Sequence, residues 1–370
     1  MTSDTSSSTV WFASVKTARP EAGATLPAKL QRLLKQLDLS ALCKGRWTPI
    51  KMHLGGRLGY STIHPLLVRV VVQAVKEAGG HPFVTEGSMG AVAEAAARGY
   101  TSETLGCPIV PAGGPFDRDV VEKAIGFKGL DKAAIFGAIA RAECLINLSH
   151  VKGHGDCGYG GACKNLAMGC VDAATRAKIH ALEGGIEWKE AICTFCGRCA
   201  EACDTGAITV NRKEKRFRLF YHHCRYCRHC ISACPVGALS MKDRQGFCDF
   251  QEGMALTTRA VLEGFKPGRV LHINVLTQIT MFCDCWGMTT PSLVPDIGIL
   301  VSPDLVAVET ASLDAIRTKD FIPGSLIGRW KLGRGRHLFE RIHGKDPWVQ
   351  VKALERHGLG ARSYALREVV

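Results

Sequence analysis

Cys193, Cys196, Cys199 and Cys203 stand at the spacing Cys-x2-Cys-x2-Cys-x3-Cys, and Cys224, Cys227, Cys230 and Cys234 repeat it with Pro235 behind. Three thiolates three residues apart can reach three irons of one compact cube. This spacing is that of paired 4Fe–4S sites, in which the fourth cysteine of each run ligates the other cube. The expected ligand sets are Cys193, Cys196, Cys199 and Cys234 for one cluster, and Cys224, Cys227, Cys230 and Cys203 for its neighbour. Gly197, Ala200, Ser232 and Ala233 are small enough for the backbone to close on a cube. The fourth cysteine of each run is expected on the first turn of a short helix. Structural zinc is the alternative, but zinc sites join two short cysteine pairs across a longer loop. Asp204 stands where a proline often follows the first run, a departure that removes no ligand.

A second group of polar residues falls where strands are expected to end. His53 ends TPIKMHL (48–54), Glu86 ends HPFVTEG (81–87), His150 ends CLINLSHV (144–151) and Ser302 ends DIGILVS (296–302). Asp284 lies shortly after RVLHINVL (269–276). In open α/β sheets ligands gather beyond the carboxyl ends of the strands. The Gly-rich loop 153–161 presents His154, Gly160 and Gly161 ahead of a helix expected near Lys164. There, backbone N–H groups, the Lys164 charge and an Asn165 hydrogen bond would cradle an anion; a tight structural loop is the plainer alternative. The loop lacks the Walker A order, and no Gly-x-Gly-x2-Gly opens a first βα unit, so no nicotinamide cofactor is expected.

In FCDCWG (282–287), Cys283 and Cys285 would point to one side of an extended segment. With His53, His150 or His154 they could form a soft nitrogen–sulfur metal site; buried free thiols are the alternative. Cys163 and Cys170 are expected to face the core. The catalytic candidates are thus His53, Glu86, His150, His154 and Lys164. Candidates for holding a cofactor are Gly160, Gly161, Lys164, Asn165, Cys283 and Cys285. The expected cofactors are two 4Fe–4S clusters, with an additional metal or anionic ligand left open.

The elements around these residues alternate. Strands are expected at 10–16, 48–54, 81–87, 107–114 and 144–151, and helices at 24–38, 66–79, 88–99 and 131–143. Beyond the cysteine runs come a helix at 250–265, strands at 269–276 and 296–302, and a helix at 304–316. A short helix near 346–356 and a strand near 363–368 close the chain. Between the cysteine runs, AITV (207–210) and RFRLF (216–220) flank a charged turn as in a hairpin. This rhythm indicates an α/β class: a layered domain with a mixed sheet, interrupted by a small α+β ferredoxin-like insertion carrying two 4Fe–4S clusters. The expected division is a disordered tail at 1–8, a discontinuous α/β domain at 9–189 and 246–370, and the two-cluster domain at 190–245.

The chain has 370 residues, 46% of them hydrophobic, enough for a sizeable core. Of its 17 cysteines, those outside the two runs show no disulfide-framework spacing. The start, MTSDTSSSTV, is polar with no apolar signal segment behind it, and no long apolar run predicts a membrane span. Reduced thiols and oxygen-sensitive clusters fit a cytoplasmic, anaerobic setting. The formal charge of +13 falls to roughly +9 with two clusters bound. An electron donor or acceptor protein with an acidic surface, or a small anionic substrate, would account for that balance; a solvated basic surface is the plainer alternative. No helix-turn-helix, zinc finger or aromatic-lined basic motif argues for nucleic acid.

Outside the cysteine runs the chain resembles the iron–sulfur proteins of the domain-of-unknown-function 362 family. The resemblance rests on KMHLGG (51–56), HVKGH (150–154), GGACKNLAMGC (160–170), KIH (178–180), CDC (283–285) and PDIGILVSPDLVAVETAS (295–312). Glu309–Thr310 departs from the expected Asp in the last string. The resemblance implies an α/β domain with a ferredoxin insertion and leaves the reaction open. The expectation is an iron–sulfur redox protein, an oxidoreductase passing single electrons between its clusters and a site on the α/β domain. The alternatives are an electron-transfer subunit without a catalytic site, or a metallocofactor assembly or activation factor.

Overall fold

The computed structural model describes residues 7–242 and 246–369. The tail expected at 1–8 falls almost wholly outside them, although Ser8 already belongs to a strand. The strands in chain order are β1 (Ser8–Ser14), β2 (Trp47–Lys51), β3 (His81–Glu86), β4 (Ile109–Pro111), β5 (Val120–Phe127) and β6 (Leu130–Phe136). They continue as β7 (Leu145–His150), β8 (Lys152–His154), β9 (Gly158–Gly160), β10 (Ile186–Trp188), β11 (Ile208–Asn211) and β12 (Arg216–Leu219). The last are β13 (Leu239–Met241), β14 (Val270–Leu276), β15 (Gly298–Ser302) and β16 (Tyr364–Glu368).

Eight strands form the main sheet in the order β16-β1-β15-β14-β7-β2-β3-β4. Its central strands read LINLSH and VLHINVL, almost wholly buried, as strands covered on both faces must be. Helices Leu26–Lys35 and Pro65–Glu77 pack Leu30, Leu33, Val68 and Val72 on one face. The other face is covered by helices Gly246–Leu262, Leu305–Ala315 and Trp348–Arg356, through Phe250, Val308 and Leu354. The class is the expected layered α/β fold.

The sheet is mixed because β15 alone, among the described strands, runs against its neighbours β1 and β14. Strands β14, β7, β2, β3 and β4 are all parallel, so their carboxyl ends share one edge. Ser302, at the end of β15, therefore lies opposite His272 near the start of β14. It bonds the Thr9 carbonyl and the Asp304 amide there, on the far edge from the other candidates. From β2 the chain steps outward through β3 and β4, then returns to place β7 on the other side of β2. That reversal leaves a crevice beyond Lys51 and His150, the position where such sheets take ligands.

The helix expected at 131–143 is instead strand β6 followed by one helical turn, Gly137–Ala140. The Ala-rich run has helical propensity, but Leu130, Ala133 and Ile135 are buried in a hairpin with β5. Tertiary pairing overrides propensity here. Outside the main sheet, β10 and β13 pair antiparallel with Ile186 opposite Met241, and β11 and β12 form the expected hairpin between them. The segment that carries both cysteine runs thus leaves and returns at one place. The expected boundary at 245 lies outside the described residues.

Candidate functional site

The two cysteine runs fold alike. Phe195 and Tyr226, each two residues after the first cysteine of its run, have φ of 51° and 58°, and Gly197 and Arg228 have 81° and 67°. Left-handed residues at matching positions curl each loop around a centre. Cys193, Cys196, Cys199 and Cys234 line one small cavity. Cys224, Cys227, Cys230 and Cys203 line another. The Cys203 and Cys234 sulfurs accept the Ala207 and Ala238 amides, both at 3.2 Å. The expected helix placement shifts: the short helices Arg198–Glu201 and His229–Ser232 hold the third cysteine of each run, and the fourth lies just beyond.

A cavity of about 490 Å³ opens beyond the carboxyl ends of β2, β3 and β7. It is lined by His53, Glu86, His150, His154, Gly160, Gly161, Lys164, Asn165, Cys283 and Cys285, which brings every catalytic and cofactor candidate outside the cysteine runs into one cavity and leaves out Ser302. Phe220, Tyr221 and His222, the residues leading into Cys224, line it as well.

His53 Nδ1 donates to Glu86 Oε2 at 2.7 Å, and its Nε2 is left without a partner. Lys51 Nζ lies 3.3 Å from Glu86 Oε1, which also accepts the Gly87 amide at 2.8 Å. Burial alone would raise the Glu86 carboxyl, but the Lys51 charge and the His53 bond outweigh it and hold the group below the usual range. A carboxylate fixing one imidazole nitrogen leaves the other set for proton transfer.

His150 is differently placed. Its Nδ1 donates to Asp284 Oδ2 at 2.9 Å and its Nε2 to the Thr277 carbonyl at 2.7 Å, so neither nitrogen is open to a ligand. Asp284 also pairs with buried Lys152, whose ammonium reaches Ser61 Oγ at 2.8 Å. Asn165 is similarly committed. It accepts from Lys51 Nζ at 2.9 Å and donates to the Lys51 carbonyl, Asn147 Oδ1 and the Leu148 carbonyl. It ties helix Ala162–Ala167 to β2 and β7 rather than facing a ligand.

The expected helix-end cradle is occupied from within. The Cys163 amide donates to Glu309 Oε1 at 2.8 Å, from a wholly buried carboxyl on helix Leu305–Ala315. A Cβ on Gly161 would fall 2.8 Å from Glu309 Oε2, so the loop needs glycine there. The Cys163 amide is therefore not free to face the pocket. Lys164 Nζ lies 3.7 Å from both the Cys283 and Cys285 sulfurs, and burial lowers its ammonium from the usual value. Cys163 and Cys170 face the core as expected, and burial pushes both thiols up to about 12.

Burial lifts the Glu309 carboxyl to about 8, only partly offset by the Cys163 and Ala162 amides, from 4.5 when exposed. Its contribution to stability is fully present below 4.5 and is lost as pH rises through 8. Thermal unfolding from pH 5 to pH 8 should show Glu309→Gln flattening that decline by a few kcal/mol. Equal slopes for the two proteins would contradict the buried, protonated state.

Several site residues carry no local signature. Asp156 accepts from His222 Nδ1 at 2.7 Å, and Trp286 Nε1 donates to His222 Nε2 at 2.6 Å, which joins the cysteine-rich segment to the pocket wall. FCDCWG is not extended. Asp284–Trp286 form a 3-10 turn after Cys283, which brings the Cys283 and Cys285 sulfurs together as a disulfide. A Cβ on Gly155 would collide with the His222 carbonyl and ring. Backbone cannot yield as a side chain can, so Gly155→Ala should cost about 2 kcal/mol or more in urea unfolding. An unchanged midpoint would mean that the two segments are not in contact.

The fold and site define a cysteine-rich α/β protein with groups able to hold a metal ion beside its main sheet. The chain belongs to the family described as Domain of unknown function (DUF362), which matches residues 49–314. Among solved structures, it is similar to the lactate racemase apoprotein from Thermoanaerobacterium thermosaccharolyticum, at 11% identity and a TM-score of 0.31. That match covers 67% of this chain and 49% of the other, so the chain spans about half the length of that protein. No curated protein matches the sequence. Among the described residues, no helix is long and apolar enough to cross a membrane.

Proposed function

We propose that the chain is an iron–sulfur redox protein whose eight run cysteines hold two 4Fe–4S clusters beside a pocket for a small anionic substrate. The carrying observation is the shared wall: Phe220, Tyr221 and His222, just ahead of Cys224, line the same cavity as His53, Glu86 and Lys164. The donor sets fit the group. Each cavity offers four thiols, three from one run and one from the other, with loops curled about a common centre. The clusters would supply single electrons. In this reading residues 190–245 are a two-cluster unit set into a discontinuous α/β domain of 9–189 and 246–370, working in the cytoplasm with a donor or acceptor protein.

The chain's own residues do the rest. Lys164, backed by Arg176 on the same wall, attracts and orients the anion. His53 moves a proton at Nε2 while Glu86 holds its Nδ1, and Lys51 keeps Glu86 ionised. His150 is a positioning residue for Asp284. Phe220 and Trp286 give the pocket an apolar side.

Calorimetric titration of anaerobic protein with small carboxylates and phosphate esters tests the reading. At least one such anion should bind. Lys164→Met should weaken it about 10-fold or more, the worth of a charged hydrogen bond, with iron and sulfide contents unchanged. Failure of every anion to bind would leave an electron-transfer subunit without a site of its own, and equal binding by the variant would take Lys164 out of the site.

A further inference from the structure

We propose that Cys283, Cys285 and His154 form a mononuclear site for a thiophilic divalent metal ion, separate from the eight run cysteines. One donor atom from each of the three lies within 4.8 Å of the other two. That span suits a single ion with sulfur at about 2.3 Å and imidazole nitrogen at about 2.0 Å. Two thiolates and an imidazole select zinc-like metals over magnesium or calcium. Three protein ligands leave a fourth tetrahedral position, and all three line the 490 Å³ pocket. An open fourth position is the mark of a reactive rather than a structural zinc site.

The surroundings support the same set. The 3-10 turn after Cys283 puts both sulfurs on one side, and Gly287, at φ 63°, closes it. Lys164 Nζ, 3.7 Å from each sulfur, favours the thiolate form that binds metal. His154 Nδ1 is engaged by the Asp156 amide at 3.2 Å and by Cys157 Sγ at 3.3 Å, which fixes the ring. Two other groups centre on Asp156, with His154 and His222 or with His180 and Glu183, and neither brings a thiolate; in the first, both His222 nitrogens and Asp156 Oδ2 are bonded within the protein, which leaves Asp156 Oδ1.

The disulfide between Cys283 and Cys285 makes the site redox-dependent. An added phosphine supplies two electrons and leaves as its oxide with the oxygen of one water, whose two protons complete the two thiols; the ion then displaces both thiol protons to solvent. An anion held by Lys164 would lie next to the open position. The metal site itself does not depend on the clusters.

The test uses the full chain, prepared anaerobically, reduced with a phosphine, stripped with a chelator and dialysed against zinc. Zinc stoichiometry and zinc-edge X-ray absorption are read together, with iron and sulfide measured on the same sample. Reduced protein should hold about one zinc, with two sulfurs and at least one nitrogen in its shell. The same protein left unreduced, and Cys283→Ser/Cys285→Ser, should each retain less than about a tenth of that, since thiolates are the principal ligands. The unreduced sample needs no substitution, so misfolding cannot mimic the result. Equal zinc in all three, a four-sulfur shell or a shell without sulfur would overturn the proposal. Absent iron with an intact two-sulfur zinc shell would leave it standing and remove the cluster reading alone.

Discussion

Asp284→Ala should destabilise the protein by about 3–5 kcal/mol, the usual cost of stripping one partner from a buried ion pair. The carboxylate faces Lys152 through Oδ1 and His150 through Oδ2, and the Lys152 side chain is only 1% exposed. Removing it leaves a buried ammonium with only Ser61 oxygens for company. Asp284→Asn, which keeps the shape and loses the charge, should cost less. The pH dependence has a definite sign. Burial would raise the Asp284 carboxyl, yet His150 and Lys152 hold it well below 3.8. Its stabilisation is therefore present above pH 3.8 and is lost as pH falls through the depressed value. The gap in urea midpoint between wild type and Asp284→Ala should stay constant from pH 7 to pH 4 and narrow only below about pH 3.8, towards pH 2; a gap undiminished at pH 2 would contradict the pairing.

The second large effect concerns Lys345. It is buried against the cysteine-rich segment, with its ammonium donating to the Cys224 carbonyl. Burial brings that ammonium down to about 8, so it remains charged at neutral pH. His222 and His223, which also flank the run, are instead lowered by burial and are neutral there. His229 faces Asp204 at 3.3 Å. The positive charge beside Cys224, Cys227 and Cys230 thus comes chiefly from Lys345, Arg225 and Arg228, less from the neighbouring histidines. A unit charge several ångströms away, at an effective dielectric near 20, is worth about 2 kcal/mol. Lys345→Met should accordingly lower one of two midpoint potentials by on the order of 50–100 mV and leave the other in place. Anaerobic redox titration checks it, and two midpoints shifting together, or neither, would contradict the assignment.

The two cysteine-lined cavities were legible because their linings are local: three thiols of each lie within a heptapeptide, and the other run supplies the fourth. His53, Glu86 and His150 were legible because a strand's end is readable from its apolar run, and parallel neighbours bring such ends together. Ser302 was misplaced because nothing in DIGILVS states that β15 runs antiparallel. The hairpin of β5 and β6 was hidden by an Ala-rich stretch whose local preference is helical. Lys51, Lys152, Asp156 and Lys345 were missed because their roles depend on partners 114, 132, 66 and 121 residues away. A lysine in the middle of an apolar string, as in TPIKMHL and HVKGH, is the one signal that could have found the first two. Glu309 stood out only as a departure from a resemblance, and its place beneath Gly161 supplies the reason.

Iron and acid-labile sulfide, counted per chain on anaerobically purified protein, test the account most directly. Two cubes held by Cys193, Cys196, Cys199 and Cys234, and by Cys224, Cys227, Cys230 and Cys203, require about eight of each. Colourless protein without sulfide, carrying zinc on those cysteines, would contradict it.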